Sequence, residues 1–127
     1  MSTIDFPDLN IPEIKVLFNH IYELKKGVRR MALYTMNKKN LDYAVARVKS
    51  QGLAYAIQEI DGCRINLFIG CEECIAAIRM FVDRPLNLLT PEEDFILGAL
   101  LGYDVCMQCK RFCSRKSEQL KSSQDIA

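Results

Sequence analysis

LAYAIQEIDGCRINLFIG, residues 53–70, is the stretch whose reading decides the fold. Asp61-Gly62 at its centre is a hairpin signal, because a two-residue type I′ loop needs positive φ at both central residues. Such a loop pairs Ile60 with Cys63 and sets Glu59 opposite Arg64, a favourable cross-strand charge pair. In this register Ala54, Ala56 and Ile60 share a face with Cys63, Ile65, Leu67 and Ile69, and Leu53, Tyr55, Ile57 and Phe68 take the other. Both faces are apolar away from the turn, so both need a cover. Helices of this chain can supply one, and a second subunit is a candidate for the other.

The flanking segments complete a pattern. Upstream, Leu41, Ala44, Val45 and Val48 recur at helical spacing, which predicts an amphipathic helix over residues 38–51 ended by Gly52. Before it, KVLFNHIYEL (15–24) and VRRMALYTM (28–36) are rich in β-branched and aromatic residues and are separated by a turn at Gly27, which reads as strand, turn, strand. Pro7 and Pro12 mark residues 1–14 as an irregular arm. Downstream, Cys71, Cys74, Ile75, Ile78, Phe81 and Val82 share one helical face, ended at Pro85.

LTPEEDFILGALLGYD (89–104) opens with Thr90 as N-cap, Pro91 at the first helical position and Glu93 completing a capping box. Gly98 and Gly102 let another backbone come close, Gly102 can end this helix, and Asp104 can cap a last one running to about Leu120. Residues 121–127 read as a disordered tail. The fold class expected is therefore α+β. One domain over residues 15–120 holds a small, mostly antiparallel sheet in β-β-α-β-β-α order, followed by two C-terminal helices.

The chain has 127 residues, half of them apolar, enough for one core. A net charge of +1 leaves no global footprint for nucleic acid. No apolar run reaches membrane-spanning length, and the N-terminus lacks the basic start and apolar run of a signal peptide. A soluble cytoplasmic protein follows, in which the six cysteines are free thiols, ligands or redox centres and not structural bridges.

DVCMQCKRFCSRK (104–116) places Cys106, Cys109 and Cys113 on one side of a helix, in a stripe with Val105, Phe112 and Leu120. Gln108, Arg111, Ser114, Arg115 and Glu118 point away. Buried cysteine behaves as a small hydrophobe, so the favoured reading is a face packed in the core or against a second subunit. The competing reading is a zinc or iron–sulfur site, which needs a fourth ligand from elsewhere. Cys71 and Cys74 form a second C-x-x-C at a strand-to-helix junction, the local setting of a redox pair, but the charges of Glu72 and Glu73 oppose a thiolate. Together Cys71, Cys74, Cys106 and Cys109 satisfy a four-cysteine zinc formula, without the glycines that usually shape the knuckles.

His20 reads as a histidine hydrogen-bonded within the fold or at an interface. The acidic run Glu92, Glu93, Asp94 reads as capping and dipole compensation, and Lys110, Arg111, Arg115 and Lys116 as the wet face of the last helix, able to dock an acidic partner. No phosphate loop, catalytic triad or metal-binding carboxylate motif is present, which weighs against an enzyme.

HIYELKKGVRRMALYTM (20–36) and RPLNLLTPEEDFILGALLGYD (84–104) resemble a bacterial family known as the domain of unknown function 2023 family, over most of residues 15–113. The resemblance implies a small α+β domain with a short sheet, several helices and a homodimeric state. It implies no activity and no catalytic residues. The function expected is a non-catalytic, homodimeric interaction or adaptor module without a cofactor, acting through a protein partner. The alternative is a cysteine-based zinc, iron–sulfur or thiol-redox protein in electron transfer.

Overall fold

The computed structural model describes residues 11–125. Residues 1–10 of the arm expected over 1–14, and 126–127 of the expected tail, lie outside them. The sheet has three antiparallel strands, β1 (Met31–Asn37), β2 (Ala54–Glu59) and β3 (Arg64–Gly70), in the order β1-β3-β2. β3 is central and is buried from Ile65 to Gly70, as a strand covered on both faces must be.

The β2–β3 hairpin forms, one residue out of the expected register. Ala54 lies opposite Gly70 and Glu59 opposite Ile65. Positive φ occurs at Gly27, Gly52 and Gly102, and at neither Asp61 nor Gly62, so the turn is not type I′. The Asp61 carboxylate instead accepts from the N–H groups of Cys63 (2.8 Å) and Arg64 (2.9 Å) and closes a longer loop. A one-residue change moves every side chain to the opposite face relative to its neighbour strand. Ile65, Leu67 and Ile69 therefore join Tyr55 and Ile57, while Phe68 joins Ala54 and Ala56. Glu59 loses Arg64 as its partner and pairs with Lys38; Arg64 turns back to Asp61.

Both faces are apolar, as expected, and both are covered by this chain. On the first, Leu17 and Ile21 of α1 (Ile11–Lys25) and Ala44 and Val48 of α2 (Leu41–Ser50) pack on Tyr34, Ile65, Leu67 and Ile69. On the second, Ile75 and Ile78 of α3 (Glu72–Arg79) and Leu97 of α4 (Pro91–Leu100) pack on Met31, Ala56 and Phe68. Across the second face runs a polar ladder. Thr35 donates to Asn66 (2.6 Å), Asn66 to Gln58 (2.9 Å), and Gln58 to the carbonyls of Val82 (3.2 Å) and Arg84 (2.8 Å). The ladder crosses all three strands, so a register slip would leave buried amides unpaired.

Residues 15–24 are helical, not a strand. Ile14, Leu17, Ile21 and Leu24 recur at helical spacing and turn toward the sheet, whereas Val16, Phe18 and Tyr22 stay exposed. β-Branched content had pointed to a strand, but the period of the apolar residues decides which face is buried. Pro12 sits in the first turn, where its missing N–H breaks no helical bond, so the helix reaches into the expected arm. The element order is α1-β1-α2-β2-β3-α3-α4 and a final helix α5 (Val105–Asp125), which continues past Leu120. The α+β class, the small antiparallel sheet and the two C-terminal helices all stand.

The capping signals hold in detail. Thr90 accepts from the Glu93 N–H (3.1 Å) while the Glu93 carboxylate accepts from the Thr90 N–H (3.0 Å). Gly102 ends α4 at φ +80, and the Asp104 side chain accepts from the Met107 N–H (2.9 Å) to start α5.

Candidate interaction surface

The short turn between α4 and α5 folds the two helices back on each other; of the expected packing stripe only Phe112 meets α4, and the basic side of α5 supplies the other contacts. Arg111 makes a two-pronged contact with Asp94 (2.7 and 3.2 Å), and Arg115 reaches the same carboxylate (3.0 Å) and the Leu89 carbonyl (3.1 Å). Lys116 pairs with Glu92 (3.1 Å), and Phe112 meets Phe95 edge-on, with ring centroids 5.8 Å apart. Gln108 lies on Gly98, where a Cβ would fall 2.0 Å from its side-chain oxygen.

Of the basic residues read as a wet face, Arg111, Arg115 and Lys116 thus lie on the contact face, whereas Lys110 stays exposed. Cys106, Cys109 and Cys113 point outward and are exposed, as are Val105 and Leu120. The cysteines do not pack into the core of this chain. The reason is electrostatic: of the three carboxylates in the first turn of α4, Glu92 and Asp94 meet Lys116, Arg111 and Arg115, and these charge-assisted bonds outweigh burial of three small thiols. Burial works to raise the Asp94 pKa, but its bonds to Arg111 and the charges of Arg111 and Arg115 hold it below the usual carboxylate range. Arg84, and then the Thr90 N–H, lower Glu93 to about 2.

Cys71 is the N-cap of α3 and donates its N–H to the Arg30 carbonyl (3.1 Å). Cys74 lies next to it. Burial, the hydrogen bond to Cys71 and the charges of Cys71 and Glu73 push its thiol up to about 11, so it is protonated at neutral pH and a weak nucleophile. Cys63 is exposed in the hairpin loop. Among the described residues no three His, Cys, Asp or Glu side chains converge to hold a metal ion.

His20 stands on α1, half-buried beside the Tyr34 ring (5.8 Å) with Arg29 donating toward Nδ1 (3.4 Å). Burial and then the Arg29 charge lower its pKa. Tyr34 donates to the Glu13 carbonyl, and its own pKa is raised by burial and by the Glu13 charge. The histidine is held within the fold.

A groove of about 440 Å³ runs between α4, α5 and β1, bounded by Leu33, Leu97, Tyr103, Gln108 and Arg111. Neither His20 nor a cysteine lines it. Among the described residues no helix is long and apolar enough to cross a membrane.

The family described as protein of unknown function (DUF2023) matches residues 15–115. The chain belongs to that family. The DUF2023 match begins in α1, takes in the whole sheet with its two apolar covers, and ends in α5 at Arg115, which contacts Asp94. It includes Cys106, Cys109 and Cys113 and stops short of Leu120. A comparison with curated proteins finds no match to this DUF2023 chain.

Two features escaped the sequence reading. One is the complementary charge of the α4 and α5 faces; acids at 92–94 and bases at 111–116, joined by a tight turn, were the available signal. The other is the free edge of β2 beside an apolar groove, which only the three-dimensional strand order exposes.

Proposed function

We propose that this DUF2023 protein is a non-catalytic, homodimeric adaptor that docks a partner protein on the outward face of α5. The observation that carries this reading is the exposed stripe Val105, Cys106, Cys109, Cys113 and Leu120. Its cysteines and Leu120 recur at the spacing of a helix-packing seam, on a helix of about 31 Å, roughly twice the length of the α4 it packs against. Lys110 and Lys121 flank the stripe and have no ion-pair partner among the described residues. The partner that fits is an amphipathic helix with acidic flanks. Six free thiols favour a reducing, cytoplasmic setting.

A labelled synthetic helix with a leucine seam and glutamate flanks tests the reading by fluorescence anisotropy. Micromolar binding that Leu120→Glu weakens supports it. No binding, together with a stable monomer in sedimentation, removes it.

A second reading, a thiol-redox or zinc or iron–sulfur protein, draws on the Cys71–Cys74 contact and the three exposed thiols. Its support is weaker, because the raised Cys74 pKa opposes thiolate chemistry. Elemental analysis and a visible spectrum of anaerobically purified protein decide it: bound metal or colour favours it, and colourless, metal-free protein removes the metal form.

A further inference from the structure

β2 is an edge of the sheet, with β3 on its inner side. Ile60 donates to the Arg64 carbonyl (3.1 Å). By the alternation of antiparallel pairing, residues 54, 56 and 58 then bond inward, and Tyr55, Ile57 and Glu59 turn their N–H and C=O groups outward. The Arg79 guanidinium donates to the Tyr55 carbonyl, which fixes the same phase independently. Among the described residues nothing meets the outward backbone groups of Ile57 or Glu59. The Ile57 side chain is 41% exposed and floors a groove of about 410 Å³ with Leu41, Val45 and Tyr55. An open edge beside apolar surface is a template for another strand. The opposite edge, β1, is blocked at one end, where Glu13 accepts the Asn37 N–H (3.1 Å).

We infer that a second copy of this chain occupies this edge, β2 pairing antiparallel with the partner's β2 about a two-fold axis at Ile57. The inference rests on the homodimer reading and assigns its interface. Self-complementarity carries it. With Ile57 opposite the partner's Ile57, the outward N–H and C=O groups of both strands exchange bonds, and Tyr55 falls opposite the partner's Glu59. Lys49 stands over the Tyr55 ring, 5.8 Å from its centroid, so the partner's Glu59 carboxylate arrives beside a cation. Tyr55 with its lysine on one side of Ile57, and Glu59 on the other, make a pattern that matches its own reversed copy. Such a match is what a two-fold interface requires and a generic extended peptide lacks. The Lys38–Glu59 pair is exposed and weak enough to share. Arg79, also exposed, leaves the Tyr55 carbonyl as the partner strand arrives. Each Ile57 then covers apolar surface that the other leaves open, and the two three-stranded sheets become one.

Sedimentation velocity on the full chain at micromolar concentration, with hydrogen exchange at individual amides, tests this. The wild type sediments as a dimer with slow exchange at the Ile57 and Glu59 amides. Ile57→Lys raises the dissociation constant by about 30-fold or more, the loss typical of a central interface side chain. Glu59→Lys, at an exposed position that does not endanger the fold, weakens the dimer in the same direction, and Leu120→Glu leaves it intact. A dimer indifferent to Ile57→Lys and Glu59→Lys, with both amides exchanging fast, overturns the edge assignment and leaves the homodimer reading standing. A dimer broken by Leu120→Glu instead moves the interface to α5 and overturns the assignment equally. A wild-type monomer removes both.

Discussion

A methyl group added at Gly70, where β3 ends, would meet the Arg30 carbonyl oxygen at 2.4 Å and the Met31 Cα at 2.9 Å, both of them backbone. The same group at Gly98 on α4 would meet the side-chain amide of Gln108 at 2.0 Å, the free end of a flexible chain on α5. The two sites show how differently the halves of the molecule are held. Around the sheet, apolar side chains and backbone interlock from both faces, with Phe68, Leu67 and Ile69 fully buried. Between α4 and α5 the hold is ionic and peripheral: Asp94 to two arginines, Glu92 to Lys116, one aromatic contact. The first kind of contact tolerates no displacement. The second tolerates displacement but depends on charge.

The largest effect that separates the two is expected at Gly70. Gly70→Ala costs about 3 kcal/mol or more, because neither clashing atom can move without shifting β1; urea unfolding measures it. Asp94→Asn removes the carboxylate that two arginines share and costs roughly 1–2 kcal/mol. It acts on α5 and leaves the exchange-protected amides of β3 unchanged. Gly98→Ala lies within about 1 kcal/mol of the wild type, since alanine's better helix propensity offsets the displacement of Gln108. Equal costs at Gly70 and Gly98 would mean that α5 is locked as firmly as the sheet.

Acid sharpens the same contrast. The carboxyls of Asp94 and Glu93 have folded pKa values below their usual range. Their contribution is complete above that range and is lost as pH falls through it, toward about 2 for Glu93. His20, also lowered, adds a loss of the same sign as pH drops below its usual range. The melting difference between wild type and Asp94→Asn therefore narrows from pH 7 to pH 3. A difference that stays constant would contradict the ionic account of α5.

What the sequence reveals divides along this line. The sheet's two apolar faces, the Thr90–Glu93 capping box and the glycine stops at Gly52 and Gly102 are local signals, and all are present in the fold. The hairpin register is not local. Asp61 bonds the N–H groups of Cys63 and Arg64 and so makes a turn without the positive φ that Asp-Gly advertises. Residues 15–24 mislead by composition, while the spacing of Ile14, Leu17, Ile21 and Leu24 carries the helix.

α5 misleads for a deeper reason. Amphipathic spacing separates two faces but does not say which is covered. That choice was made by carboxylates on another helix, and it turned the cysteine stripe from a buried face into the open surface on which the adaptor reading rests. The β2 edge is invisible for a related reason, because strand order is a tertiary property.

The orientation of α5 is tested most directly by brief iodoacetamide labelling of the native, reduced protein, read cysteine by cysteine in mass spectra. Cys106, Cys109 and Cys113 are expected to label rapidly, and Cys74 slowly, until urea is added. Protection of the three α5 cysteines in the native protein, relieved by urea, would contradict the outward orientation of the stripe.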